Sequence, residues 1–561
     1  MKSYRLNILL LSVFVIILIS VPVIAQKKGL NTITAGELKT HISFMAADDF
    51  LGRYTPSVEL EICSEYLATL SESYGLKPLM PDGSWFQELP LNVTKASESR
   101  TQLRVFSENG EQIFYFPQAF GGSFRSPGTY GGDVVFAGYG ASAQDLGWDD
   151  VGELNVTGKV VILIDGQLPD GHALNTQQYR LSSRISAFNR QGAAAVLTVI
   201  SEDNERRMAD NSENFINTPR ARLNASYESQ QTARRSRQTA QPTQRQPAVQ
   251  QPPVPPRPPR PSLPFGQAEI RHEVAAAILG ISKDQLSGMF SMINRGQQVS
   301  AKEISGKRVE MSVNVDRYPA SARNVLAVLE GSDDNLKDEY VVICAHHDHL
   351  GIRNGSIIAG ADDNASGTAA LLEIAQAMLL EKPKRSIIFA WLTGEEMGLW
   401  GSHYFVNNCP VPVENISAAL NLDMIARNDP DSLFLVASDL LSSELDGAIH
   451  KVNDKNTKLG FSYIYSNRTH SQRVYYRSDQ YPHIRFGIPS VWLFGGFTPD
   501  YHTPLDIVER CDFNKVEKVT KLTYLTALEI ANKKELLKLD VNPEVTSRGR
   551  HNLIVETIKK P

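Results

Sequence analysis

The sequence predicts an α/β fold: a mixed, mainly parallel sheet sandwiched by helices, with a smaller inserted α/β unit. Three observations carry this expectation. The chain has 561 residues, too many for one ordinary core and enough for two or three domains. From Asn324 onward short apolar runs alternate with helical stretches, the pattern of a mainly parallel sheet covered on both faces. A shorter alternation of the same kind precedes it, interrupted by one segment of very different composition. Hydrophobic residues make up 42% and charged residues 21%, so most of the chain can bury a core. Lys and Arg number 57 against 62 Asp and Glu, a net charge of -5, and without a basic excess no nucleic-acid partner is expected.

The elements follow in chain order. Lys2 and Arg5 precede an apolar stretch from Ile8 to Ile19, and Pro22 leads to the small-residue site ending at Ala25. This reads as a signal peptide over 1–25, so an exported protein, periplasmic or extracellular, is expected, with no stable membrane insertion after cleavage. Strand-like runs at 133–136 and 159–164, a helical stretch near 182–192 and an apolar run at 193–200 make a small α/β unit. Residues 218–262 then carry ten Pro, eight Gln, eight Arg and one Glu. Such a segment cannot offset its ordering entropy by burial, so it is expected to be a disordered, solvated loop. Two short helices at 270–279 and 283–293 return the chain to the small unit.

The larger unit carries the chemistry. A strand at 340–345 runs into His346-His347-Asp348-His349-Leu350-Gly351, placing imidazoles and a carboxylate at a strand end, where open α/β sheets bind ligands. Asp362 and Asp363 follow at the entrance of a helix, where one acidic residue is an ordinary dipole partner and two exceed that need. Strand 386–392 ends in Thr393-Gly394-Glu395-Glu396, strand 418–424 reaches Asp423, and strand 490–494 leads to Tyr501-His502. Singly, each group has an ordinary role as a cap or turn residue. Together, several strands deliver His, Asp, Glu, Asp and His to one sheet edge, a mixed imidazole and carboxylate set that suits zinc, with enough carboxylates for two ions.

At these residues the sequence resembles the dizinc metallopeptidases of the aminopeptidase family that also contains glutamate carboxypeptidase II and the glutaminyl cyclases (clan MH). The motifs AHHDHLG, GADDNASG, TGEEMG, ALNLDM and YHTPLD stand in that family's order. The opening segment from Phe44 to Arg53 and the helix up to Leu76 resemble the start of such a peptidase domain. Gly138-Tyr139-Gly140, Gly158-Lys159-Val160-Val161 and Gly192-Ala193-Ala194 resemble an inserted protease-associated (PA) domain. The resemblance implies the zinc aminopeptidase (phosphorylase/hydrolase-like) fold, with the N-terminal part of the peptidase domain at 30–104, the PA insert at 105–310, the catalytic domain at 320–540 and a tail at 541–561. The Pro/Gln/Arg segment departs from the pattern and looks like an enlarged loop of the insert.

Carried over residue by residue, the resemblance implies two Zn2+ per chain. Asp363 would bridge them, His346 and Asp423 would complete one set, and Glu396 with His502 the other. Glu395 would be the general base, Asp348 would orient His346, and Tyr475 falls where relatives place a residue that steadies the oxyanion. His347 is expected to be scaffold. The activity implied is that of an exopeptidase acting on peptide substrates, an aminopeptidase first. A carboxypeptidase of the glutamate type would use a basic cluster for which Arg427, Arg477 and Arg485 are available. Cyclisation of N-terminal glutamine, or a receptor on an inactive peptidase fold, complete the alternatives, and the complete ligand set speaks against both. The oligomeric state is left open.

Overall fold

The computed structural model describes residues 28–543 except 123, 125, 153, 218–219 and 224–264. The expected signal peptide, most of the Pro/Gln/Arg segment and nearly all of the tail lie outside the described residues. Most strands fall into two large sheets, each with its own apolar core, and two further two-stranded pairs complete the set among the described residues.

The larger, ten-stranded sheet contains β1 (Phe86–Ala96), β2 (Arg220–Leu223), β3 (Val315–Leu329), β4 (Tyr340–His346), β5 (Ser386–Leu392), β6 (Ile416–Leu422), β7 (Ser432–Val436), β8 (Gly460–Ser462) and β9 (Ser490–Phe494) in the order β2-β1-β3-β5-β4-β6-β9-β7-β8, with the short strand Lys77–Pro78 beside β3. Its centre, β5-β4-β6-β9, is parallel throughout, and the flanking pairs β2-β1, β1-β3, β3-β5 and β9-β7 are antiparallel. Every residue of β5, β6 and β9 is buried, as a strand covered by helices on both faces must be, which is why these read as unbroken apolar runs. The outer strand β1 instead alternates buried and exposed positions along most of its length. Helices Gly367–Leu379 and Phe513–Ala531 pack on one face of the sheet, and their Leu371, Ile374, Val519, Leu522 and Leu525 join the main core.

The smaller sheet is built from strands between Gln102 and Val313. Its segments Gly128–Phe136, Val160–Ile164, Ala195–Val199 and Gly266–Ile270 are mutually parallel, and the helices His272–Leu279 and Lys283–Asn294 cover it. The chain leaves the large sheet after β1 and re-enters it at β3. The two crossings lie side by side, with the Ser97 N–H donating to the Asn314 carbonyl at 2.9 Å and the Asn314 N–H to Thr101 Oγ1 at 3.1 Å.

The chain also returns to the large sheet midway. Arg220–Leu223, inside the stretch expected to be a disordered loop, is the edge strand β2 paired antiparallel with β1. Its two-residue alternation turns Ala221 and Leu223 inward against Leu89, Leu91, Val93 and Ala322. Without it β1 would present an open row of backbone donors and acceptors. The arginine-rich composition hid this alternation. Leu223→Ala is expected to lower stability to urea by about 2 kcal/mol, the low end for a buried leucine. Excising 226–262 with β2 retained is expected to change it by less than about 0.5 kcal/mol, and an equal loss in both variants would contradict this reading.

Candidate metal centre

The four parallel strands end on the same edge of the sheet, and each hands over at least one polar side chain there. His346 closes β4, Glu395 and Glu396 follow β5, Asp423 follows β6, and His502 lies beyond β9. Asp363 comes from the turn before helix Gly367–Leu379. That turn is fitted closely to the sheet. A side chain at Gly360, which has φ of 63°, would meet the Asp363 carbonyl at 2.1 Å, and one at Gly367 the Leu422 carbonyl at 2.2 Å, so only glycine fits at either place.

Hydrogen bonds fix the carboxylates. Asp506 accepts from the Asp362 N–H at 2.8 Å and the Asp363 N–H at 3.0 Å, and Asp362 Oδ1 accepts from the Ala426 N–H at 2.7 Å. Asn364 Nδ2 donates to the Leu422 carbonyl at 2.9 Å, tying the Asp363 turn to the end of β6. Ser478 Oγ donates to Asp423 Oδ2 at 2.5 Å, which leaves Oδ1 facing His346.

Two donor sets result, sharing Asp363. In the first, His346 Nε2 lies 3.2 Å from Asp363 Oδ1 and 3.2 Å from Asp423 Oδ1. In the second, His502 Nε2 lies 3.2 Å from Asp363 Oδ2 and 3.3 Å from Glu396 Oε1. Donors around a tetrahedral zinc at about 2.0–2.1 Å stand roughly 3.3 Å apart, so these separations fit an ion at each set. His502 Nε2 and Glu396 Oε1 are buried and make no hydrogen bond, which leaves both atoms available to a cation. The five residues expected as ligands are thus brought together, with Glu395 directly before one of them.

Charge follows the same geometry. Burial alone would raise the pKa of Asp363, but His349, His346 and His502 outweigh it and hold the carboxyl well below the usual range. Glu396 is likewise brought down to about 2 by His349 and His502, against the effects of burial and of the Asp363 charge. Burial disfavours a charged His502, yet Asp363 and Glu396 raise it to about 9. Glu395 goes the other way. Burial and the neighbouring Glu396, Asp423 and Asp479 push it well above the ordinary glutamate value, with His346 opposing.

Asp348 faces His346 Nδ1 with both its carbonyl and its carboxylate. The nearest acceptor for His346 Nδ1 is the backbone carbonyl of Asp348 at 3.1 Å, with Oδ1 at 3.7 Å. The carboxylate also accepts from the Glu395 N–H at 3.2 Å, so Asp348 couples the first histidine to the loop of the expected base. Tyr475 is fully buried among Tyr476 and Tyr481, with its hydroxyl 3.3 Å from Arg468 Nη2. Tyr501 lies closer to the chemistry. Its ring stacks on His502 at 3.7 Å, and burial together with Asp363, Glu396 and Glu395 raises its phenol far above normal, which keeps it protonated. His347 is scaffold, with Nδ1 2.9 Å from the Leu392 carbonyl and Nε2 2.9 Å from Ser64 Oγ.

One residue of the cluster was missed as a donor. His349 is buried with Nδ1 2.8 Å from Glu396 Oε1 and 3.9 Å from Asp363 Oδ2, and neither ring nitrogen is hydrogen-bonded. With Asp363 and Glu396 it forms one of two groups able to hold an ion among the described residues, the other being His346, Asp363 and Asp423. Only the run of three imidazoles in four residues hinted at it.

A sheet whose four central parallel strands converge at their ends on two imidazole-carboxylate sets has the layout of a metal-binding site. Residues 324–527, little more than a third of the chain, match the family model Peptidase family M28. A probable zinc metalloprotease of Pyrenophora tritici-repentis is 33% identical over 117 residues, 20% of this chain and 24% of that protein. Leucine aminopeptidase 1 of Ajellomyces dermatitidis is 28% identical over 251 residues, 42% of this chain and 61% of that protein. The chain thus spans about a quarter of the first relative's length and three fifths of the second's. Among solved structures, an aminopeptidase from Aneurinibacillus sp. strain AM-1 is 17% identical, covering 91% of this chain and 97% of that one, with a TM-score of 0.47.

A protonated imidazole cannot ligate, so zinc uptake by stripped protein near neutral pH is expected to release protons, because His502 titrates near 9 and must become neutral. Zinc affinity should therefore weaken as pH falls from that value. Calorimetry in buffers of different ionisation enthalpy reads the release, and uptake without protons would contradict the geometry.

Proposed function

We propose that the protein is an exported zinc-dependent aminopeptidase holding two zinc ions per chain, with Glu395 as general base. The observation that carries this is the pair of donor sets sharing Asp363, with Glu395 beside Glu396 at the same strand end. His346, Asp363 and Asp423 would hold one ion, and Asp363, Glu396 and His502 the other. Each set has three protein donors, which leaves a place for water or substrate as catalytic zinc requires. Bound there, zinc polarises the scissile carbonyl and lowers the pKa of water toward about 7.

The chain's own residues do the rest. Glu395, raised in pKa by burial and its acidic neighbours, takes the proton of the attacking water and returns it to the leaving amine. Asp348 holds the Glu395 backbone amide and so the direction of that carboxylate. The Tyr501 phenol, kept protonated, is a donor for the oxyanion, a role that the sequence resemblance gives to Tyr475. The smaller α/β unit takes the place of the PA insert. Export rests on the signal-like N-terminus. No helix among the described residues is long and apolar enough to cross a membrane.

The carboxypeptidase alternative loses support, because two of its three candidate arginines are engaged within the protein. Arg427 is bound to Asp500 at 2.5 Å and Arg485 stacks on Tyr481. The name of one relative, leucine aminopeptidase, favours the aminopeptidase.

Zinc-loaded, desalted protein is expected to retain two equivalents by elemental analysis, Asp363→Asn to lose both, and His502→Ala to keep one. At most one equivalent in the native protein would refute the paired centre. Glu395→Gln is expected to keep full zinc while hydrolysis of an aminoacyl anilide falls by about 10²- to 10⁴-fold, the usual share of a general base. Inactivity accompanied by zinc loss would instead exchange the roles of Glu395 and Glu396.

A further inference from the structure

A short series of contacts leads outward from the second donor set to an exposed cation. The ring of Tyr501 stacks on His502 at 3.7 Å, and Arg477 Nη2 donates to the Tyr501 hydroxyl at 2.9 Å. The Arg477 guanidinium lies over the Phe497 ring at 4.9 Å and 5.7 Å from the Tyr501 ring. Packing on two aromatic rings restricts its rotamers, so little ordering remains to be done when it binds a ligand. Among the described residues no carboxylate lies within ion-pair distance of Arg477, nor of Arg468 and Arg473, which stack on Tyr475 and Tyr476. Arg427 and Arg510, by contrast, are both paired with Asp500. One rim of the site thus carries unpaired positive charge while its floor is acidic.

We propose that Arg477 is a specificity-determining residue that receives the free C-terminal carboxylate of a short peptide, making tripeptide-sized chains the preferred substrate class. This rests on the aminopeptidase reading, in which the substrate amine lies at the acidic floor beside Glu395 and Glu396. The two zinc ions of that reading would offset the charge of the carboxylates that hold them, so recognition of the substrate carboxylate falls to Arg477 itself, the unpaired cation nearest the second donor set. The reach agrees. Laid end to end, the two ring separations put the guanidinium on the order of 9 Å or less from the His502 ring. The two residues after the scissile bond of a tripeptide span about 7 Å when extended, and a carboxylate–guanidinium contact adds about 3 Å. A longer chain carries its carboxylate past the rim.

The test compares leucyl-glycyl-glycine with its C-terminal amide, reading release of the N-terminal residue by the zinc-loaded, full-length protein. The quantity read is the ratio of the two kcat/KM values, in which any general loss of activity cancels. The native protein should favour the free acid about 10-fold, mostly through KM, as expected for one partly exposed charge-assisted contact. Arg477→Met should bring the ratio close to one, and Arg477→Lys should restore part of it. A hexapeptide and its amide should not be distinguished. Equal rates for acid and amide in the native protein, or a preference that survives Arg477→Met, would overturn the proposal. So would an Arg477-dependent preference for an acidic N-terminal residue, which would place the recognised carboxylate on a side chain. Failure of the underlying reading has a separate signature, release of the C-terminal residue or of none, and it removes this inference too.

Discussion

The crowding of buried carboxylates at one sheet edge is the constraint on which the rest of the structure depends. Asp348, Asp362, Asp363, Asp423, Asp479 and Asp506 are all buried there, and an unpaired buried charge costs several kcal/mol even after relaxation. Two solutions operate side by side. Asp362 and Asp506 accept backbone N–H groups from the turns they brace. Asp363, Asp423 and Glu396 are turned toward imidazoles and toward one another, an arrangement that only cations can hold together. The acids that brace the site and the acids that face it are therefore distinct sets with distinct partners.

A single arginine joins the loops that carry them. Arg53 is buried, and its guanidinium donates to the carbonyls of Met45, His347, Ala359 and Gly360 at 2.6–3.0 Å. Its own carbonyl accepts from the His349 N–H at 3.0 Å. The turn that presents it is left-handed at Leu51, Gly52 and Arg53, with φ of 44°, 72° and 48°. A side chain at Gly52 would meet the Ile358 carbonyl at 2.3 Å. The Leu51-Gly52-Arg53 segment, far away in sequence, thus sets the spacing between the loop of His346 and the turn of Asp363, and with it the geometry of both donor sets.

What could be read in the sequence follows from which interactions are local. The central strands announce themselves because burial on both faces demands continuous apolar runs, and the residues at their ends are then displayed at one edge by topology alone. This is how His346, Glu396, Asp423 and His502 can be grouped from the sequence. His349 could not, because its ring is aimed by the Arg53 turn through a contact spanning some 300 residues. The choice between Tyr475 and Tyr501 was equally closed to sequence reasoning. Both stand near strand ends, and only packing decides that one enters an aromatic cluster while the other stacks on His502. The strand Arg220–Leu223 was hidden for a compositional reason, since its two inward residues are embedded in a segment whose average is polar and basic.

The two donor sets are unequal, and the inequality gives the site a direction. The side chains of His346, Asp363 and Asp423 are at most 5% exposed, whereas that of His502 is 27% exposed. Solvent and any substrate therefore approach from the His502 side, past Tyr501 and the arginines stacked on the neighbouring aromatic rings. The acidic floor lies at the closed end and the cationic rim at the open end. Their separation is set by the stacking of Tyr501 between His502 and Arg477, so the one aromatic ring that touches the second donor set also measures the distance between the two poles of the site.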